Sequence, residues 1–401
     1  MPALLLSLSL INDKFVLMKI GFDAKRAYNN NTGLGHYSRT LIAAMATDYP
    51  ENEYVLFTPA LSELFDAKQY RNMQAITPSN TSDKIFRKNW RSRSVIHDLK
   101  KTGIDLYHGL SHQVPVGIDK TGIASVVTIH DLIFERYPEQ HGRINVLLYR
   151  KKFTYACNHA DAVIAISRQT KQDLLDLYHV PEEKIYTCYQ SCDPSFAVKL
   201  SAEEKERIRQ KYGLPERFFL SVGSVTERKN LLTICKAMNR LKDELQIPLV
   251  VIGSGRKYLD TVKEYLKKNN IEDRVIFLSG HEEAASAAFR SSADFPGIYQ
   301  SALALIYPSV FEGFGLPILE ALWSGLPAII SNVSCMPETG GDAALYIDPF
   351  DDIALAERMK AVATDPGLTE SMREKGFAHA QHFTAEKCTA AVMEVYQKIR
   401  K

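Results

Sequence analysis

The chain has 401 residues, with 49 Lys and Arg against 47 Asp and Glu; its formal net charge of +2 implies no global attraction to nucleic acid. Its composition, 45% hydrophobic and 24% charged, is that of a globular protein long enough for two or three domains. Its six cysteines show no paired spacing suited to zinc, and a reducing cytoplasm is the expected compartment.

Residues 1–17 hold a short apolar run with no Lys or Arg before it and no clear small-residue cleavage site. The run is too short to span a bilayer, so it reads as an N-terminal extension. From Met18 onward, strand-like apolar runs alternate with helical patterns. Strands are expected at 18–22, 54–58, 105–108, 124–129, 162–166 and 184–188, then at 217–223, 248–252, 274–278, 303–307, 327–331 and 344–347. Helices are expected at 33–46, 145–158, 168–178, 229–244, 256–268, 317–324 and 352–364. This alternation implies α/β architecture with parallel sheets covered on both faces, and ligands beyond the carboxyl ends of the strands. The first half is read as 18–198. A charged segment then leads to "FFLSVGS", which opens a second half, 199–383. A last helical stretch, 384–401, follows.

Candidate chemistry also falls in chain order. "NNNTGLGHYS" sets Gly33 and Gly35 before a helix, where backbone can approach a ligand. Ser38 stands where the dinucleotide fingerprint needs a third glycine, so nicotinamide binding is disfavoured. "DKIFRKNWRSRS", 83–94, is basic and aromatic. If it is helical, Phe86 and Trp90 share a face flanked by Arg87, Lys88 and Arg91, a pattern suited to an anionic bilayer or to a core-facing helix. His130 and Asp131 follow a buried strand directly. That imidazole could donate to a substrate hydroxyl or carry a proton. Arg228 and Lys229 lie before Asn230, a good N-cap, and two cations at a helix start suit a diphosphate. "PSVFEGFGLPILEALWSGLPAII", 308–330, places Glu312 before a helix and Glu320 about one turn inside it. Gly313 and Gly315 permit a turn, and Pro317 suits the first helical turn. N–H groups near Phe314, Gly315 and Leu316 favour an anion, while the two acids can accept from neutral hydroxyls. That combination describes a sugar carried on a phosphate. Ordinary helix capping would also place acids here.

Taken together, these residues resemble glycosyltransferase family 4 from residue 18 to about 398. Its Glu-x7-Glu motif is matched by Glu312 and Glu320 with "GFGLPIL" intact between them. The resemblance implies a GT-B fold, two Rossmann-like domains facing each other across a cleft, with the terminal helix crossing back to the first. It implies a retaining, metal-independent hexosyltransferase with no cofactor. Arg228, Lys229, Gly35, Gly315 and Leu316 would hold the donor diphosphate. Glu320 would bind the ribose. Glu312, Phe314, Gly315 and His130 would meet the donor sugar, with Glu312 and His130 catalytic. The donor would be a GDP- or UDP-linked sugar. "TIHDLIFERYPE" is similar to members that transfer mannose in polysaccharide assembly. A glycan or lipid-linked acceptor would enter from the first domain, so a cytoplasmic protein touching the inner membrane face reversibly is expected. A phosphorylase or epimerase of the same fold, or a sugar-nucleotide-binding protein without activity, is the alternative.

Overall fold

The computed structural model describes residues 17–401. The expected extension therefore lies outside the described residues except for its last member, Leu17, which is exposed. Strands β1 (Lys19–Asp23), β2 (Glu53–Phe57), β3 (Met73–Ile76), β4 (Leu106–Gly109), β5 (Ala124–Ile129), β6 (Ala162–Ala165) and β7 (Ile185–Thr187) form one sheet. Its order is β3-β2-β1-β4-β5-β6-β7, and every neighbouring pair is parallel. Strands β8 (Phe219–Val222), β9 (Leu249–Ile252), β10 (Val275–Phe277), β11 (Ala304–Tyr307), β12 (Ala328–Ser331) and β13 (Ala344–Ile347) form the second. Its order is β10-β9-β8-β11-β12-β13, again parallel throughout.

Both sheets are sandwiched between helices, so their strands are apolar on both faces. All of β5, Ala-Ser-Val-Val-Thr-Ile, is buried. Alternation then sorts residues to opposite layers: Tyr54 and Leu56 pack with Ile42 and Met45, whereas Val55 and Phe57 pack with Leu99 and Tyr107. The edge strand β3 is absent from the sequence reading. Its four residues, Met-Gln-Ala-Ile, are only half-buried, so they carry neither a long apolar run nor a clear alternation.

The charged stretch after residue 199 contains a helix, Ala202–Lys211, begun by a reciprocal cap. The Ser201 hydroxyl accepts from the Glu204 N–H (3.1 Å), and the Glu204 carboxylate accepts from the Ser201 N–H (2.9 Å). The final helix, Ala385–Ile399, returns to the first domain and buries Val392, Met393 and Tyr396 beside Ile42 and Met45. Burial of this kind is worth about 1.5–3 kcal/mol per large side chain. The Tyr396 hydroxyl lies 2.6 Å from His108 Nδ1, and His108 Nε2 lies 2.7 Å from the Thr128 hydroxyl, which fastens the helix to the sheet.

Each strand order reverses once, between β1 and β4 and between β8 and β11. Chains leave the two strands at such a point in opposite directions, which opens a crevice beyond their carboxyl ends. The candidate site residues follow these switch-point strands or an immediate neighbour.

Candidate active site

Arg228 and Lys229 sit in a single helical turn after β8, and Glu312 in the loop after β11, so the second-domain switch point gathers all three. Arg228 Nη1 and Lys229 Nζ both lie 2.7 Å from the same oxygen, Glu312 Oε1. Arg228 also donates to the Phe311 carbonyl (2.6 Å), and the Lys229 ammonium contacts the Tyr307 hydroxyl. All three ionic side chains are largely buried, with 13%, 16% and 9% exposure for Arg228, Lys229 and Glu312. Burial alone would push the Glu312 carboxyl up; Lys229 and Arg228 overcome it and hold it at about 2. Burial lowers the Lys229 pKa despite that partner. The two cations are thus only partly neutralised by one carboxylate, leaving one positive charge in excess.

Asn230 occupies the N-cap position but does not cap through its side chain. With φ at 57°, its amide instead reaches the carbonyls of Pro308 (3.3 Å) and Pro349. The residue links the loops after β11 and β13 and fixes the turn that carries the cations.

Glu312 is held by its backbone. Its carbonyl accepts from the Ser334 hydroxyl (2.8 Å) and the Cys335 thiol (3.2 Å). Gly315, with φ at 92°, turns the chain into the helix Leu316–Trp323. The first turn of such a helix leaves N–H groups without intrahelical partners. The Phe314 ring is core, packed on Tyr189 and Phe383. Glu320 accepts from the Tyr299 hydroxyl at 2.6 Å. Burial and the nearby Asp193 charge raise its carboxyl to about 7, against the Tyr299 bond and the charge of Lys229. The two glutamates therefore differ in character: one is firmly ionised and the other titrates near neutrality.

The opposing domain brings His130 and Asp131 against this loop. A Cβ on Gly313 would lie 2.0 Å from the His130 carbonyl oxygen, so only glycine permits the approach. The Thr170 hydroxyl donates to that carbonyl at 3.2 Å. His130 is 4% exposed, and its Nε2–H donates to the Leu110 carbonyl (2.8 Å). Burial, reinforced by His112, lowers its pKa to about 3. That shift favours the neutral ring, and with Nε2–H donating to Leu110 the other ring nitrogen, Nδ1, is the acceptor. His112 lies edge-on to it at 5.2 Å and stacks on Phe153 at 4.7 Å.

Of the two loop glycines, Gly33 faces the second domain, 3.9 Å from Leu316 when given a Cβ. At Gly35 a Cβ would collide with the Asn30 carbonyl oxygen at 1.8 Å, so its own loop explains that glycine. A cleft of about 580 Å³ separates the domains, lined by His112, Asp131 and Tyr149 on one side and Arg228, Arg256 and Tyr258 on the other. Arg256, Tyr258, Tyr299 and Tyr307 are site residues that the sequence does not reveal. Tyr307 ends β11 shortly before Glu312 but reads only as part of a buried strand, and Arg256, Tyr258 and Tyr299 lie outside the motifs they join.

The expected membrane surface does not form. The chain turns at Phe86 (φ −95°, ψ 51°), which ends one helix before the next begins and breaks the register between Phe86 and Trp90. Trp90 is fully buried, its indole N–H on Asp98 at 2.6 Å. Arg91 points inward to Asp23, with Nε at 2.9 and 3.0 Å from the two carboxylate oxygens. Of Arg87, Lys88, Trp90 and Arg91, only Arg87 and Lys88 are exposed. No helix among the described residues is long and apolar enough to cross a membrane.

The first half matches the glycosyltransferase family 4 domain over residues 32–196, and the second matches the glycosyl transferases group 1 domain over 204–379. The O-antigen chain mannosyltransferase B of Escherichia coli is 26% identical over 400 residues, covering 95% of this chain and all of that one. The E. coli serotype-specific mannosyltransferase WbdA is 24% identical over 297 residues, 73% of this chain and 36% of that one. Among solved structures, Anabaena Alr3699/HepE in complex with UDP and glucose superposes with a TM-score of 0.70 at 17% identity, over 95% of this chain and 99% of that one. Two parallel-sheet domains, the paired matches and the glutamate-bearing loop lead to one conclusion: this chain belongs to the GT-B glycosyltransferases, a family 4 domain followed by a group 1 domain.

Proposed function

We propose that this protein transfers a hexose from a nucleoside-diphosphate sugar to a glycan acceptor in surface-polysaccharide synthesis, with retained anomeric configuration and without a metal ion. The observation that carries this reading is Glu312, pinned by Arg228 and Lys229 at the second switch point and pressed through Gly313 against His130. Mannose is the favoured sugar, because the full-length relative from E. coli is named for it. GDP and UDP both fit the description of the donor. Arg228, Lys229 and the first turn of the Leu316–Trp323 helix supply the positive charge that a leaving diphosphate needs. As phosphate takes the cations, the Glu312 carboxylate is released toward the sugar, where it can stabilise an oxocarbenium-like transition state. In this reading His130 would accept from a sugar hydroxyl through Nδ1. The test is consumption of GDP-mannose or UDP-glucose by the purified protein in EDTA. Turnover of neither, in a protein that folds, overturns the reading.

Glu320 gives this reading a pH signature. Ribose hydroxyls donate to a carboxylate, so the ionised form is the binding form. With its carboxyl at about 7, Glu320 is ionised above neutrality and protonated below it. Donor affinity should therefore fall about tenfold between pH 8 and pH 6. Glu320→Gln should bind weakly at both values, with a flat profile. A titration of donor binding in which wild type is equally flat removes Glu320 from the ribose.

We propose that membrane contact uses a broader face of the first domain, which keeps the exposed Arg87 and Lys88 of the 83–94 segment and adds the helix Arg143–His159. On the helix Arg143–His159, Ile144, Leu147 and Leu148 are 76%, 63% and 51% exposed, and Ile85 and Phe86 are 68% and 62% exposed. The helix reaches the second segment through Gly117 and Val116: Tyr155 accepts from the Gly117 N–H (2.6 Å), and Val116 N–H donates to the Ser92 carbonyl (2.8 Å). Lys84, Arg87 and Lys88 flank Ile85 and Phe86 in the chain, and Arg143 and Lys151 are exposed on the helix that carries Leu147 and Leu148. Such a face complements an anionic bilayer. Salt-sensitive sedimentation with anionic vesicles is expected, abolished by Leu147→Glu with Leu148→Glu. If wild type stays in the supernatant at low salt, the contact does not exist.

A further inference from the structure

The first domain has its own switch point, between β1 and β4, and the transferase chemistry proposed for the second domain leaves it unused. Asp23 ends β1, and Lys25 and Arg26 follow at once. Ser111 and Gln113 lie in the loop just after β4. Arg91 enters from below and is fully engaged: Asp23 takes its Nε, Gln113 accepts from Nη1 (3.2 Å), and Ser111 accepts from Nη2 (3.1 Å). Asp23 is bound chiefly to Arg91 and offers Lys25 and Arg26 only a partial counter-charge. Lys25, Arg26 and Lys152 remain around the pair. Each has its pKa lowered, first by burial and then by Arg91, so these cations crowd one another. Lys88 adds its charge at Lys152. Arg91, Lys25 and Arg26 thus share the one Asp23 carboxylate, with Lys152 beside them. Arg26 Nε is a buried donor with no partner, although Arg26 lines the interdomain cleft. A buried guanidinium N–H without an acceptor costs energy that an anion would recover. Asp131 and Glu139 also line the cleft, and neither pairs with Arg26 among the described ion pairs.

We propose that this switch point is an anion seat for the acceptor: it takes a phosphate or diphosphate ester, with Arg26 and Lys25 as direct ligands, Lys152 at the rim, and Arg91 held as a fixed positive charge by Asp23. The seat rests on the transferase reading for its purpose but not for its existence. Donor diphosphate occupies the switch point of the second domain and acceptor phosphate that of the first, with the acceptor's hydroxyl directed into the cleft between them.

The probe is inorganic pyrophosphate, titrated calorimetrically into full-length protein already saturated with GDP or UDP, so that the donor seat is filled. Wild type is expected to bind one pyrophosphate. Arg26→Gln and Lys25→Gln should each weaken that event tenfold or more, while nucleotide affinity stays within error and the thermal midpoint of the free protein does not fall. Arg228→Ala should weaken nucleotide binding and leave the pyrophosphate event intact. No pyrophosphate binding to the saturated protein, or binding that Arg26→Gln does not alter, overturns the seat. If neither nucleotide binds, the transferase reading fails separately, and the same titration on nucleotide-free protein still decides whether Arg26 holds the anion. Displacement of pyrophosphate by a soluble sugar phosphate, or by a polyprenyl diphosphate in detergent, identifies the source of the group. Displacement by neither overturns the acceptor assignment.

Discussion

Glu312→Gln should reduce turnover by roughly 10²- to 10³-fold, the scale of losing one preorganised electrostatic group at a reacting centre. Its affinity for the nucleoside diphosphate should be unchanged or higher. In the free protein Glu312 is the counter-ion of Arg228 and Lys229, each 2.7 Å from one of its oxygens. A diphosphate must take those cations from it. With glutamine in place, nothing competes, and two buried cations await an anion. The free variant should therefore also be less stable, by about 3 kcal/mol on the scale of breaking a buried pair, and nucleotide should restore much of the loss. The pH sign agrees. The Glu312 carboxyl, held at about 2, stabilises the fold above the ordinary carboxylate range, and that contribution disappears as pH falls toward 2. The glutamine variant should lack that acid-dependent component. Steady-state kinetics, nucleotide titration and thermal melts check the three outcomes. A variant that turns over normally would falsify the catalytic assignment; one that binds nucleotide tenfold worse would show that Glu312 does not compete with phosphate.

Arg228→Ala and Lys229→Ala should each weaken donor binding by about 1.5–3 kcal/mol, roughly 10- to 150-fold, the scale of a charge-assisted hydrogen bond. The free nucleoside should bind these variants almost as well as wild type, because it lacks the diphosphate. Lys229→Ala should be the more damaging to the fold. Its ammonium is buried between Tyr307 and Glu312, and its removal leaves Glu312 with Arg228 alone. Arg228→Lys should recover charge but not the bond to the Phe311 carbonyl, so partial rescue is expected. Calorimetric titrations with nucleoside and nucleoside diphosphate check this. Equal losses for both ligands would place the cations away from phosphate.

Much of the architecture is legible in the sequence because parallel strands buried on both faces are short, continuous apolar runs. The central strands β1, β2, β4, β5, β6, β8, β9, β11 and β12 carry this signal plainly; of the half-buried edge strands, β7, β10 and β13 keep short apolar runs and β3 does not. The loop around Glu312 is legible because its residues are consecutive: strand, acid, glycines, proline and helix each leave a local mark. The partners of those residues are not. Tyr299 lies 21 positions from Glu320, and only the fold brings its hydroxyl to 2.6 Å. The protonation of His130 is hidden because burial, which depresses its pKa, is a property of the packed domain. The inward turn of Trp90 and Arg91 is hidden because a spacing of four implies one face only if the helix is unbroken, and it breaks at Phe86. The first-domain cations are visible as "DAKRA", but they gain meaning only where Arg91 closes on Asp23.

A retaining transfer in which protein cations, not a metal ion, stabilise the leaving diphosphate is tested most directly by the hydrolysis of an α-linked nucleotide sugar. Time-resolved proton NMR, with EDTA throughout, follows that reaction and requires no acceptor. The α-anomer of the free sugar should appear first, and the β-anomer only as mutarotation proceeds. A β-anomer that appears first, or turnover that begins only when magnesium or manganese replaces EDTA, would contradict it.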